Sequence, residues 1–583
     1  MLTSLFTLLY TPLKLSAATT IKREFRAVWV STVYCLDWPT TSGGNALQGL
    51  TSTIVTQQKA RLGQILDSMK IHGFNAIFFQ VRPMSDALYK STLEPISSYL
   101  TGIRGSATSW DPLEYAISEA HKRGLELHAW VNPYRWAGSA TVDWNTTWDN
   151  EIKAKGWILT SEKGKILNPG LVDVRNHIVN VCKEIITKYN VDGLVFDDYF
   201  YNSGTPEDNT AGDYTLYKKS GTSLSMADWR RNNVNEMVKA VYTMVQENKP
   251  YIRFGISPAG VASKGAAAVG ITAYSGASDW QYDGIYSDPL TWLSKGIIDY
   301  ISPQLYWSTT NSTNPFGPLT NWWSKTAAHF HRHHYASHSI SSLTNTSTIT
   351  DWAQYATQIQ LSRNYTINNA PGCVLFRTGF ISGPNAMGLG HYLQTTKFVK
   401  FCLSPIINWK KHDTYGMVSS LNLSGATLSW TGIDDAPVKY SVYAIPNEVS
   451  YTSAFRSDGD GISSDYLLGV CYGDSYTLPV DKTSGYGYAV CILDGYGTEY
   501  TPQTLLITGV NTLGNDEFAM KVNGHQISFS LTAESVKIFN LSGICVESFD
   551  HIDEAELNLP EGLYIMKAKS QRGSIITSRF ILH

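Results

Sequence analysis

The chain has 583 residues, of which 43% are hydrophobic and 16% are charged, and its formal net charge is -3. Because single hydrophobic cores stop growing at about 250–300 residues, a chain of this length predicts several domains. The charge is nearly balanced and no long basic run occurs, which argues against nucleic acid as a partner.

The first 18 residues resemble a signal peptide. An apolar segment runs from Leu2 to Leu15, and Ser16-Ala17-Ala18 fits a small-residue cleavage site, although no positive charge precedes the apolar run. The alternative is a buried strand at this position. We favour export, to the periplasm, the cell surface or the medium. No later stretch approaches about 18 consecutive apolar residues, so no membrane-spanning helix is predicted.

Residues 22–411 alternate short apolar runs with longer amphipathic stretches, which is typical of repeated βα units. Predicted strands are Ala27–Thr32, Asn75–Arg82, Glu126–Asn132, Gly193–Tyr199, Arg253–Pro258, Tyr300–Trp307, a weaker one near Tyr335, and Cys373–Gly379. Predicted helices include Val55–His72, Asp111–Arg123 and Arg175–Tyr189. Eight strands predict an α/β fold, a (β/α)8 TIM barrel. The rival is a doubly wound sheet, but no Gly-rich phosphate loop follows the first strand.

Two all-β sandwich domains are predicted after the barrel. Residues 415–505 contain short alternating strands, such as Lys439–Ala444 and Gly487–Asp494, and resemble a fibronectin type III module. Residues 508–583 resemble the C-terminal sorting-type β-domains of secreted bacterial proteins, which would contact cell-surface or secretion machinery. The alternative for both domains is a spacer or stabilising β-sandwich without chemistry.

Two acidic residues follow the fourth predicted strand directly, where catalytic residues of barrel enzymes lie. Because side chains alternate along a strand, Asp197 is predicted to point into the barrel mouth, and Asp198 reaches it only where the strand ends or bulges. Asp198 could instead cap the following loop or pair with an arginine such as Arg135 or Arg377. Asp37, Asp86, Asp283 and Asp288 lie on predicted loops of the same end and remain candidates for a second carboxylate.

Other polar and aromatic residues at the strand ends are candidate substrate ligands, because buried polar groups need partners and aromatic rings stack on sugars. They are Gln80, Arg82, Trp130, Asn132, Tyr134, Arg135, Tyr199, Gln304, Tyr306 and Trp307. The alternative for any of them is a polar network or core packing within the barrel. The histidines at 329, 331, 333 and 334 have the spacing of an exposed helix or loop, so neither a metal nor a cofactor is predicted.

Six stretches of the barrel segment together resemble the glycosyl hydrolase-like 10 family of bacterial cell-envelope proteins. They are Glu24–Val30, Phe79–Pro83, His128–Arg135, Leu167–Gly170, Asp192–Phe200 and Ser302–Trp307. The resemblance implies a glycosidase-like barrel, with at least one relative acting on peptide-free peptidoglycan strands.

A glycoside hydrolase acting on a glycan that contains N-acetylhexosamine is therefore expected, with Asp197 and Asp198 as its catalytic carboxylates. Asp197 would position the substrate's acetamide or attack directly, and Asp198 would donate the proton, its pKa raised by its neighbour's charge. The alternative function is a carbohydrate-binding or scaffold protein of the cell envelope that does not cleave its ligand.

Overall fold

The computed structural model describes most of the chain from residue 21 onward. The described residues are 21–39, 50–275, 279–340, 351–367, 370–383, 386, 388–433, 437–505, 518, 520–540, 543–571 and 575–582. The predicted signal peptide lies outside them. Among the described helices, none has the length and apolar character needed to span a membrane.

Eight parallel strands form a closed barrel, which confirms the predicted TIM barrel. In chain order they are Phe25–Val30, Ala76–Arg82, Glu126–Val131, Gly193–Phe196, Arg253–Ile256, Tyr300–Ile301, the two segments His333–His334 and Ala336–Ser339, and Gly372–Phe376. The first segment of the seventh strand pairs with the sixth strand, and the second segment pairs with the eighth. Because the eighth strand also pairs with the first, the sheet closes on itself.

Helices surround this barrel. They are Ser52–Ile71, Ser98–Thr101, Pro112–Lys122, Thr147–Ala154, Val172–Lys188, Tyr214–Lys219, Met226–Asn248, Trp280–Gly284, Pro289–Ser294, Phe316–His329, Trp352–Tyr365 and Leu389–Thr396. A small antiparallel sheet of Arg135–Ala137, Ile158–Ser161 and Gly164–Leu167 follows the third barrel strand.

Several predicted strands run too far. The fourth ends at Phe196 and not at Tyr199, and the eighth ends at Phe376 and not at Gly379. In two others proline interrupts the ladder. The fifth strand ends at Ile256, before Pro258, and the sixth ends at Ile301, before Pro303. Proline has no N–H to donate, so the pairing continues past Pro303 only as single bridges at Gln304. The prediction for the histidine segment is also wrong in part, because His333 and His334 are buried in the seventh strand.

Three glycines make room for an aromatic layer inside the barrel. A Cβ on Gly193 would lie 2.3 Å from the His128 ring, and a Cβ on Gly255 would lie 2.2 Å from the Tyr300 ring. The ring of Tyr335 likewise occupies the space beside Gly372. Each ring therefore fills the gap that a neighbouring strand leaves open, and the interior is a packed core.

The second domain consists of two antiparallel sheets. One contains Ser419–Ser424, Thr427–Thr431 and Ser475–Thr477, and the other contains Leu467–Cys471, Val438–Pro446, Tyr486–Asp494 and Gln503–Leu505. The fibronectin type III assignment of this domain stays a prediction.

In the described residues of the last domain, five antiparallel strands form one sheet. They are Met520–Asn523, Gln526–Phe539, Cys545–Glu556, Gly562–Ser570 and Ile575–Leu582. The long strand Gln526–Phe539 pairs with the strand before it and with the two strands after it. Its buried residues belong to a small hydrophobic core of this domain. A sorting function for this domain stays a prediction.

The second domain covers the end of the barrel where the strands begin. Lys439 lies 2.7 Å from Glu126, the first residue of the third strand. Tyr472 donates a hydrogen bond of 2.8 Å to Asp192, and its ring stacks on His121 with 3.7 Å between ring centroids. Because the strand starts are occupied in this way, the strand ends at the opposite face are left for a ligand.

We expect Gly255→Ala to destabilise the barrel by about 1–3 kcal/mol, because the added methyl group would overlap the Tyr300 ring inside a filled core. Chemical denaturation followed by tryptophan fluorescence measures the effect. Gly416→Ala is the control, because a Cβ there meets no atom within 4 Å, and its effect should stay within about 0.5 kcal/mol. Equal stability of the two variants would contradict the packed interior.

Candidate active site

Asp197 lies directly after the last residue of the fourth strand and is only 4% exposed. Its Oδ2 accepts a hydrogen bond of 2.9 Å from the Trp130 indole Nε1, and its Oδ1 accepts one of 3.4 Å from the Tyr199 backbone N–H. The Trp130 ring is itself held edge-to-face against Trp29, with 4.7 Å between centroids. Asp197 is therefore fixed in orientation by the barrel interior.

Asp198 is half-buried and lies one residue beyond Asp197. The Gln304 carboxamide, which follows the sixth strand, donates to the Ser257 carbonyl at 3.2 Å and lowers the pKa of Asp198. Among the described residues Asp198 forms no ion pair, and Arg377, one of its predicted partners, pairs with Asp37 instead. Because the strand ends at Phe196, both acids lie in the loop at the barrel mouth.

The pKa values of both carboxyl groups are raised, but the neighbour's charge acts on Asp197 and not, as predicted, on Asp198. Burial and the charge of Asp198 raise the pKa of Asp197 well above its usual range, against the opposing effect of the Trp130 hydrogen bond. Burial also raises the pKa of Asp198, opposed by the hydrogen bond from Gln304 and the charge of Arg135. The pair therefore keeps a proton at pH values where an isolated aspartic acid is ionised.

Exposed side chains surround the pair at the mouth. Tyr199 is 44% exposed, and the Arg135 guanidinium lies 4.6 Å from the centroid of its ring. Tyr34, in the loop after the first strand, is 53% exposed, and its ring lies 6.0 Å from the same guanidinium. Tyr306, 37% exposed, lies beside Phe376 with 6.2 Å between centroids. This set offers aromatic faces and one cation to a ligand.

Gln80 is fully buried and holds the first loop in place. Its Oε1 accepts hydrogen bonds from the backbone N–H of Thr32 at 2.9 Å and of Val33 at 2.8 Å. Its Nε2 has no protein partner in the structure. The side chain thus fixes the segment that carries Tyr34, which is a positioning role rather than the ligand contact predicted from the sequence.

Three further predicted ligands are buried in the wall of the barrel. Arg82 binds Glu94 through two hydrogen bonds, at 2.7 and 2.5 Å, and donates to the Asn132 and Pro133 carbonyl oxygens. Asn132 donates to the Pro83 carbonyl at 3.0 Å, and Tyr134 is fully buried. These side chains have no exposed surface, so as placed they shape the third loop and do not reach a ligand.

The Arg82–Glu94 pair also explains why a charge can be buried there. Despite burial, which raises it, the charge of Arg82 lowers the pKa of Glu94 to about 2. His177 adds a further hydrogen bond to Glu94 at 2.8 Å. Every oxygen of this carboxylate therefore has a partner, as a buried charge requires.

The four alternative acids have structural partners. Asp37 binds Arg377 at 2.5 Å and accepts from the Gly379 backbone N–H, and Asp86 binds Arg104 at 3.1 Å. The other two acids, Asp283 and Asp288, pair with Lys264 and cap the helix Pro289–Ser294, respectively. The barrel stretches outside the described residues contain no Asp or Glu. Asp197 and Asp198 thus remain the preferred catalytic carboxylates.

Trp307 is partly buried and packs against the hydrophobic core between the barrel strands and the helices. Its backbone carbonyl accepts a hydrogen bond of 3.0 Å from the Gln358 side chain. The exposed rings of Tyr199 and Tyr306 are better placed for a ligand. Tyr34 was not among the residues predicted from the sequence, which singled out only Asp37 in the loop after the first strand. The sequence signal for Tyr34 is an aromatic residue in a loop at the strand ends. Composition alone does not distinguish such a residue from an aromatic residue of the core.

Comparisons with known proteins place the barrel among glycosidases. Residues 24–354 match the profile of the glycosyl hydrolase-like 10 family. The chain is 33% identical to glycosyl hydrolase DigH of Escherichia coli K12 over 388 residues, covering 64% of this chain and 87% of that protein. It is 34% identical to glycosyl hydrolase YngK of Bacillus subtilis 168 over 394 residues, covering 66% and 74%.

A solved structure similar to this chain is the PgaB (BpsB) glycoside hydrolase domain from Bordetella bronchiseptica, with a TM-score of 0.41 and 11% identity. The match covers 64% of this chain and 98% of that domain.

We expect Asp197→Asn to stabilise the protein at neutral pH relative to wild type, and less so in acid. A carboxyl group whose pKa is raised in the folded state stabilises the fold below its unfolded pKa and loses that contribution as the pH rises through the folded value. Thermal melting of both proteins from pH 4 to pH 8 measures the difference.

Asp67→Asn is the control for this experiment, because Asp67 is an exposed partner of Arg123 on the outer surface. It should show no such gain in relative stability as the pH rises. A difference between Asp197→Asn and wild type that is constant across the range would mean that the pair does not hold a proton.

Proposed function

Because this chain belongs to the glycosyl hydrolase-like 10 family and is a glycoside hydrolase, we propose that it cleaves peptidoglycan-type glycan strands next to an N-acetylhexosamine. We propose Asp197 and Asp198 as its catalytic carboxylates. The observation that carries this assignment is the adjacent pair at the end of the fourth strand, with Asp197 oriented by the Trp130 hydrogen bond and both pKa values raised by burial. Consecutive residues bring the two carboxyl groups to the same reacting sugar.

In the first step the acetamide carbonyl oxygen of the substrate attacks the anomeric carbon, and the glycosidic C–O bond breaks. The reactive form is the one in which Asp198, the more exposed acid, carries the proton that the pair retains, so that Asp197 is the carboxylate. Asp198 gives this proton to the leaving oxygen. Asp197 accepts a hydrogen bond from the acetamide N–H and stabilises the positive charge that develops on the resulting oxazolinium ring. The fixed orientation of Asp197 suits this role, because an oriented acceptor needs no reorganisation during the reaction.

In the second step water attacks the anomeric carbon and opens the ring. The Asp198 carboxylate takes the proton from this water and so returns to its starting state. The acetamide is regenerated, and the product keeps the configuration of the substrate. Neither step requires a second carboxylate across the cleft, which agrees with the structural use of Asp37, Asp86, Asp283 and Asp288.

The proposed substrate is supported by the chemistry of the mouth. Exposed rings such as Tyr34, Tyr199 and Tyr306 suit the apolar faces of sugar rings. We further propose that the enzyme is exported through the predicted signal peptide at residues 1–18, which would bring it to the cell envelope. The last domain would then anchor the enzyme at the cell surface or bind the secretion machinery.

We expect Asp198→Asn and Asp197→Asn each to lower the rate of glycan cleavage by about 100–10,000-fold, because each removes a carboxyl group that acts in the transition state. Mass spectrometry of peptide-free peptidoglycan strands and of N-acetylated oligosaccharides after incubation detects the shortened products. Asp67→Asn, the surface control, should cleave at the wild-type rate. Wild-type rates in both site variants would overturn the assignment.

We also expect cleavage to depend on the acetamide of the substrate. Replacing it by a trifluoroacetamide, whose carbonyl oxygen is a weaker nucleophile, should lower kcat by more than tenfold on otherwise identical aryl glycosides. Steady-state kinetics on the two aryl glycosides measures the effect. Equal kcat values would contradict attack by the acetamide and leave Asp197 as the direct nucleophile.

A further inference from the structure

Arg135 is a cation without an acidic partner at the mouth of the barrel. It begins the short strand Arg135–Ala137 that follows the third barrel strand, and its side chain is half-buried. Among the described residues no carboxylate lies within 4.0 Å of its guanidinium. Its neighbours are the rings of Tyr199, at 4.6 Å, and Tyr34, at 6.0 Å.

Other cations at the same end of the barrel are neutralised. Arg104 binds Asp86 and Asp149, at 3.1 and 3.0 Å, and Arg377 binds Asp37 at 2.5 Å. These pairs are internal and hold loops together. Arg135 differs because its guanidinium lies beside aromatic rings and not beside a carboxylate, so its charge remains to bind an anion.

The position of Arg135 relates this cation to the reacting sugar. Its charge acts on both Asp197 and Asp198, so it lies close to the catalytic pair, yet it bonds to neither carboxylate. The exposed ring of Tyr199, the residue after Asp198, is in contact with the guanidinium. A sugar bound at the pair therefore presents its substituents to Arg135.

We propose that Arg135 forms an anion subsite that binds a free carboxylate on the sugar chain, and that it makes the enzyme specific for acidic N-acetylated amino sugars. This inference rests on the proposed function. In peptidoglycan strands every second sugar carries a lactyl ether, whose carboxyl group is free when the stem peptide is absent. A guanidinium binds a carboxylate through two parallel hydrogen bonds.

The subsite predicts discrimination by charge. A stem peptide converts the lactyl carboxylate into an amide, which removes the charge and the second acceptor oxygen that Arg135 would bind. An unsubstituted N-acetylglucosamine chain lacks the carboxylate altogether. Both substrates would leave the half-buried guanidinium without an anion, so both should react more slowly than strands with free lactyl groups.

The test compares three substrates with the full chain: peptide-free strands, the same strands after methylamidation of their carboxyl groups, and chitin hexamer. The proteins are wild type, Arg135→Gln, Arg135→Lys and the control Lys264→Gln, whose ammonium group is more than half exposed and paired with Asp283. Thermal melting shows that each variant is folded. The readout is the ratio of kcat/KM between the free and the methylamidated strands.

We expect wild type and Lys264→Gln to prefer the free strands by tenfold or more. Arg135→Gln should reduce this ratio to less than about threefold, and Arg135→Lys, which keeps the charge without the planar fork, should lie between. A wild-type ratio near one, or an equal loss on both substrates in Arg135→Gln, would overturn the subsite while leaving the glycosidase intact. Failure of wild type to cleave any of the three substrates would overturn the proposed function and the subsite with it.

Discussion

Two carboxyl groups on consecutive residues, Asp197 and Asp198, lie at the barrel mouth, where the protein interior shields the first of them from water. Asp197 is almost fully buried and Asp198 is half-buried, and among the described residues neither has a cation within 4.0 Å. Two ionised carboxylates on consecutive residues repel each other in a partly buried site, where solvent screens charge poorly. The pair therefore retains a proton. The hydrogen bond from Trp130 fixes the orientation of Asp197, whereas Asp198 is more exposed.

Elsewhere in the barrel, the buried charges named above are paired and the interior is well packed, in contrast to the carboxyl pair at the mouth. The interior below the pair is filled by aromatic rings that three glycines accommodate, and the walls around it hold buried charges in complete pairs, such as Arg82 with Glu94. The opposite end is covered by the second domain through contacts such as Lys439 with Glu126. Stability therefore resides in the interior and at the strand starts, whereas the strand ends carry charges that a ligand can use.

The sequence was sufficient for the architecture because βα repetition and strand periodicity are local signals. It also placed Asp197 and Asp198 at a strand end, since a buried strand followed by two acids needs no tertiary information. It could not separate ligand contacts from wall contacts. Arg82 ends a strand and Tyr134 follows one, as Arg135 and Tyr199 do, and only the packing of Glu94 and the third loop shows that the first two are enclosed. The arginine partners of Asp37 and Asp86 could not be predicted either, because they are separated from these acids in the sequence and meet them only in the fold.

The central claim is that adjacent carboxylates act with the substrate's own acetamide, and the anomeric configuration of the first product tests it most directly. Proton NMR of the anomeric signals during cleavage of an N-acetylated oligosaccharide shows the product before mutarotation. Two successive displacements at the anomeric carbon predict retention. Inversion would contradict the account, because it requires a water activated by a second carboxylate about 6.5–9.5 Å away from the first.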